Sequence, residues 1–247
     1  MNIFGLLFTL LLGIFIIIGV YLMHLFKNKE KFLIMSLSMA FGVMMCLVLF
    51  ELLPETYETF KELYNWKKAV IFIILFSLIG FAILKLLDKF IPDHDHENEK
   101  DNLIHIGVVS SIAIIIHNVI EGMAVYNTVN SSLDLGILLS LGVGLHNIPL
   151  GMAISSTFYT SLKNKKKTNL IIILISLSTF LGGLIMSIFN VTNEFIISIL
   201  LSITIGMLIY INIIELLPRL IKYKNKKMVL ISTLIGIILL FISIKLG

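Results

Sequence analysis

The chain has 247 residues, 58% of them hydrophobic, and a mean hydropathy of +1.03. A soluble domain is only about 45–50% apolar even when glycine is counted, so this composition excludes a soluble enzyme or binding module and implies an integral membrane protein. The net charge of +4 calls for no nucleic acid, because the lysines gather in connecting segments, and a single cysteine, Cys46, excludes an internal disulfide.

Only helices and closed barrels satisfy their backbone in lipid. The apolar runs here are long and unbroken instead of alternating, which selects an all-α membrane fold. Eight runs, each near the ~20 residues a bilayer requires, cover 3–26, 33–54, 69–91, 103–126, 133–161, 169–189, 194–218 and 228–246. The first starts at Ile3 with no basic residue before it and is expected to span the membrane, not to be cleaved as a leader. Residues 1–247 form a single transmembrane domain in this reading. Its longest connection, 92–102, is polar and carries His94, Asp95 and His96, which are candidates for loose metal binding.

The second run ends in FELLPE (Phe50–Glu55) and the seventh in IELLPR (Ile214–Arg219), each expected to close its helix. With eight antiparallel crossings, these matching ends fall on opposite faces. They suggest an inverted repeat, helices 1–3 against 6–8, around a central pair of helices 4 and 5, as in many secondary transporters. Trp66 and Tyr64 stand where interfacial anchors are found. Fifteen of the 19 Lys and Arg residues follow the odd-numbered runs, and only Lys61, Lys67, Lys68 and Lys245 lie on the other side. Basic loops stay cytoplasmic, so a multi-pass cell-membrane protein with both termini outside is expected.

The fourth and fifth runs hold near-copies that begin 29 residues apart, HNVIEGMAV from His117 and HNIPLGMAI from His146. Residues four apart share a helix face, so His117 and Glu121 converge with Asn118 alongside, and His146 and Asn147 repeat the pattern. His117 is 14 residues into its run and His146 is 13 into its own, which puts both near mid-membrane. Imidazole and carboxylate are costly there and usually line a bundle interior or watery path. Neutral imidazoles with a carboxylate suit Zn²⁺, and also Fe²⁺, Mn²⁺, Co²⁺ or Cd²⁺. Pro149 has no N–H for the Leu145 carbonyl, so a kink is expected that turns this oxygen to the cavity. Gly122 and Gly151 are expected to let helices 4 and 5 approach each other closely. Met44, Glu51 and Glu215 are candidates along a transport path, with Glu55 beside Glu51.

Eight helices and the pair HNxxEG and HNxPxG, standing here as His117, Asn118, Glu121, Gly122 and His146, Asn147, Pro149, Gly151, resemble the ZIP family of divalent-metal transporters, of prokaryotic type. The resemblance implies movement of Zn²⁺ or a related ion towards the cytoplasm. It also marks two departures. Where the family's second motif has a bridging glutamate this chain has Leu150, and a family carboxylate on helix six falls on Thr179. Both belong to the second of two adjacent metal positions, so one metal per chain is expected. Expected partners are the divalent ion, as transported substrate, and the lipid bilayer, with no nucleic acid; a homodimer is left open. A non-transporting metal sensor remains as an alternative. An intramembrane metallo-hydrolase is weaker, because Glu121 would have to be ligand or base and there is no HExxH.

Overall fold

The computed structural model describes residues 2–90, 99–162, 164–189 and 193–246. Among them, eight helices are long and apolar enough to cross a membrane. They are α1 (Ile3–Leu25), α2 (Lys29–Leu63), α3 (Trp66–Phe90), α4 (Glu99–Ser131), α5 (Leu133–Ser161), α6 (Lys165–Phe189), α7 (Glu194–Lys222) and α8 (Lys226–Leu246). The connection carrying His94, Asp95 and His96 lies outside the described residues.

Short polar connectors start the helices. Side-chain oxygens of Asn2, Asn28, Asn65, Asn164, Asn193 and Asn225 each accept a hydrogen bond from a backbone N–H two or three residues on. An N-cap of this kind contributes about 1 kcal/mol by satisfying a donor that the first turn leaves open. It also lets each connection be only a few residues long, which forces sequence neighbours into antiparallel crossings.

Several boundaries differ from expectation. α4 begins at Glu99, inside the connection expected over 92–102, and ends at Ser131 instead of near 126. The ELLP segments do not close their helices. Instead the backbone widens into a π turn at Val48–Leu52 and at Ile211–Leu216, and α2 and α7 then continue through Pro54 and Pro218 as far as Leu63 and Lys222. Proline lacks an N–H and its ring crowds the carbonyl four residues back. A π turn loosens the ladder where that crowding falls, so the helix survives the proline. α5 likewise runs through Pro149 as one helix.

The helices sort into an inner and an outer set. The most apolar window of α2 is 78% buried, against 17% for α3 and 22% for α8. α4 and α5 pack on each other at the centre; α1 lies on α5 and α6, α6 on α4, α8 on α2 and α5, and α3 on α7. Exposed Leu, Ile and Phe of α1, α3, α6 and α8 form the outer surface. In water such a surface would be untenable; in lipid it costs nothing.

The packing follows an inverted repeat that exchanges α1–α3 with α6–α8 and α4 with α5. α1 on α5 corresponds to α6 on α4, and α2 on α8 to α7 on α3. Each of these seams is closed by a reciprocal glycine pair. A Cβ on Gly122 would run into the Thr179 carbonyl of α6, and one on Gly182 into the Val119 carbonyl of α4. Only glycine lets two backbones meet this closely. The corresponding seam pairs Gly151 with Gly19 across α5 and α1, and the other two seams use Gly42 with Gly236 and Gly206 with Gly80. Gly122 and Gly151 thus seat α4 and α5 against α6 and α1, not against each other as expected, because each faces outward from the central pair.

Candidate metal site

The repeat on α4 and α5 builds the centre of the molecule. Glu121 lies one helical turn from His117, and its Oε1 is 3.0 Å from His117 Nε2. The same Oε1 is 2.7 Å from His146 Nε2 on α5. The imidazole centroids are 6.2 Å apart. All three side chains are enclosed, and their ligand atoms lie within 4.8 Å of one another. The carboxylate thus joins the helices from between two rings, each offering the nitrogen that a metal would take.

The remaining atoms of the trio are held from behind. His146 Nδ1 is 3.2 Å from the Ser243 hydroxyl of α8, which itself donates to the Gly142 carbonyl at 2.5 Å. A hydroxyl whose proton is spent on a carbonyl can accept from the imidazole. That contact fixes the ring with Nε2 aimed at Glu121, where a proton bridges Nε2 and Oε1 until a metal takes its place. Glu121 Oε2 is buried with no hydrogen-bond partner. An unpaired carboxylate oxygen in hydrocarbon is expensive, so this oxygen calls for a partner from beside it, water or a cation.

The two asparagines separate. Asn118 turns to α6, where its amide donates to Ser178 Oγ at 3.0 Å and lies 3.4 Å from the Ile175 carbonyl. Its Oδ1 is buried without a partner, as are both amide atoms of Asn147 and the Thr179 hydroxyl. A cavity of about 300 Å³ runs beside the trio, from His117 and Glu121 past Glu51 to the exposed Glu55 and Asn127. Glu51 Oε2 is enclosed and without a hydrogen-bond partner.

Met44 is elsewhere. It lines a separate apolar cavity of about 20 Å³ with Ile114 and Leu150, while Met123 and Met186 line the larger one. The Gly-Met-Ala repeat was the signal for Met123; nothing local marked Met186. Leu150 is buried one turn from His146 and belongs to the apolar packing beneath the trio. Glu215, at the opposite end, joins Asp88 of α3 and His105 of α4 in a second cluster. Sequence reasoning missed Asp88 and His105, which no repeat or short spacing ties to Glu215.

The family model described as the ZIP zinc transporter matches residues 92–244. The chain is 29% identical to the zinc transporter ZupT of Clostridium perfringens, over 89% of its own length and 87% of that relative. It is 31% identical to the ZupT of Chlorobium phaeovibrioides, over 98% and 97%. For the ZupT of Streptococcus mutans the identity is 28%, over 96% and 95%.

Proposed function

This chain belongs to the ZIP zinc transporter family, and from that premise we propose that its cargo is Zn²⁺, carried through a single midplane site on α4 and α5 into the cytoplasm. The family makes the chain a divalent-metal transporter and not an enzyme. The observation that supports the site is Glu121 Oε1 held between His117 and His146.

In this reading His117, His146 and Glu121 are the ligands. Asn147, whose amide is buried and unpaired, adds an oxygen. Asn118 contributes through its unpaired Oδ1 while its amide nitrogen fixes α4 to α6. Charge decides the number of ions. Two dications 4 Å apart repel by roughly 16 kcal/mol at an effective dielectric of about 20, and each has given up its hydration. Glu121 alone neutralises one charge. Glu51, on the same cavity, supplies a second as the ion passes, which balances one dication and not two. Glu55 attracts the ion at the mouth. Zinc is favoured by two imidazoles with a carboxylate, and Fe²⁺, Mn²⁺ and Cd²⁺ are the competitors this donor set admits.

The reading is tested by flux: purified protein in proteoliposomes is expected to give saturable Zn²⁺ uptake, with the other three ions as competitors. Zn²⁺ binding without any flux would favour a sensor instead.

Direction rests on the lysines. With both termini outside, Asn130→Cys should react with a membrane-impermeant thiol reagent in intact cells and Asn164→Cys should not, each in a Cys46→Ser background. Both positions are exposed at opposite ends of α4–α5, and Asn130 accepts a hydrogen bond from Asn2 next to the N-terminus. The reverse pattern would overturn the orientation and with it the direction of import.

A further inference from the structure

We propose that Ser243 of α8 is a positioning residue for the transported ion, one that presents His146 to the metal without touching the metal itself. The proposal rests on His146 as a ligand of the midplane site, and it adds a third helix to the two that carry the trio.

α8 is an outer helix whose buried residues are few. Ser232, Gly236, Leu240 and Ser243 recur every three or four positions and so form one stripe. Gly236 seats that stripe on the Met39 carbonyl of α2. Ser243 ends it, enclosed in the last turn of the helix. A serine inside a helix ordinarily returns its hydroxyl proton to a carbonyl one turn back in the same helix. Ser38, Ser111, Ser140 and Ser176 do so, onto Ile34, Gly107, Gly136 and Ile172. Ser243 does not. Its proton crosses to the Gly142 carbonyl of α5, one turn before His146, and its oxygen stands 3.2 Å from His146 Nδ1.

Proton counting gives this contact a direction. A hydroxyl carries one proton, and here the Gly142 carbonyl takes it, so Oγ can only accept. The hydrogen between Oγ and Nδ1 therefore belongs to the imidazole. A metal binds through a nitrogen lone pair, and a ring that keeps hydrogen on Nδ1 has only Nε2 to offer. Nε2 is the nitrogen that faces Glu121. A half-turn of the ring about Cβ–Cγ would set carbon against Ser243 and forfeit the bond. Ser243 thus selects both the nitrogen and the orientation that complete the trio. A cation on Nε2 also draws electrons from the ring and strengthens Nδ1–H as a donor, so the ion and the α8 contact support each other.

The test is equilibrium Zn²⁺ binding to the full chain in nanodiscs, with NMR detection of the histidine ring N–H protons. Ser243→Ala should weaken the His146-dependent binding about 10–100-fold, the range for losing a group that orients a metal-ligating histidine. In the Zn²⁺-loaded wild type, His146 Nδ1–H should give a hydrogen-bonded resonance, identified by its absence from His146→Ala. Ser243→Ala should shift or abolish it. Ser36→Ala is the control. It removes a different side-chain bond between α5 and the α2–α8 pair, Ser36 to Ser156 at 2.7 Å, and should leave both readouts as in the wild type. Thermal unfolding of each variant without metal checks the fold, which should survive because the α2–α8 seam at Gly42 and Gly236 stays closed. Wild-type affinity in Ser243→Ala would overturn the proposal. So would weakened affinity with the Nδ1–H resonance unmoved, which would make Ser243 a packing residue. Either result, with His146→Ala impaired, leaves the midplane reading in place. Zn²⁺ binding unaltered in His146→Ala would instead remove the midplane reading itself, and this proposal with it.

Discussion

Glu121→Ala is expected to abolish saturable Zn²⁺ uptake while the protein remains folded in the membrane. Glu121 Oε1 is the atom both imidazoles share, so its removal takes away the only negative charge in the trio and the bridge between α4 and α5. Loss of a group that merely orients a metal ligand costs about 10–100-fold in affinity, and a ligand facing two others should exceed that range. His146→Ala should do the same and also leave Ser243 with the Gly142 carbonyl as its remaining partner. Folding should survive, because the α4–α5 and α4–α6 contacts stay in place and deleting an enclosed carboxylate relieves desolvation. Uptake at the wild-type level in proteoliposomes would remove either residue from the ligand set.

Leu150→Glu should have the opposite effect and give the chain a second ion. Leu150 is one turn from His146 on the same face and fully enclosed. A carboxylate here stands one turn from His146 on the same face of α5, from where it is expected to reach a second ion beneath the trio. Without metal it is a buried charge with no partner and should lower the thermal midpoint. With Zn²⁺ the order should reverse, with binding about tenfold tighter, near 1.4 kcal/mol, and a stoichiometry of two at the midplane. Thr179→Glu in addition should strengthen it, since Thr179 packs against Gly122 beside Glu121 and its hydroxyl has no partner. Anomalous scattering that shows two adjacent midplane ions in the unmodified protein would overturn the single-ion reading.

The core of the site was legible because it obeys local rules. His117 and Glu121 are four apart on one helix, and His146 repeats them 29 residues on, so helix periodicity and a repeat sufficed. The eight crossings were legible for the same reason. The extent of α2 and α7 was not. Pro54 and Pro218 signal a break, and only the surrounding packing lets a π turn carry the helix past them. Asn118 looked like a partner of His117, yet its neighbour Ser178 is 60 residues away. Asp88, His105 and Glu215 meet through the packing of three helices, and no spacing in a linear sequence encodes such a meeting. The asparagine caps lay in plain view, although asparagine frequency alone carries no hint of where helices begin.

The reciprocal glycine seams have a consequence for how the protein enters its membrane. The four glycine seams correspond under the exchange, although α8 packs on α5 far more than α3 packs on α4. The seams themselves therefore carry little information about which way the chain should thread. The charges do not share the symmetry. Lys27, Lys29 and Lys31 flank the turn between α1 and α2, whereas the equivalent turn between α6 and α7 has no basic residue. Lys61, Lys67 and Lys68 near the α2–α3 turn face five basic residues from Arg219 to Lys227 near its counterpart. Direction is therefore expected to follow a handful of surface lysines, so that moving them to the equivalent turns of the other face should turn the whole body over in the membrane.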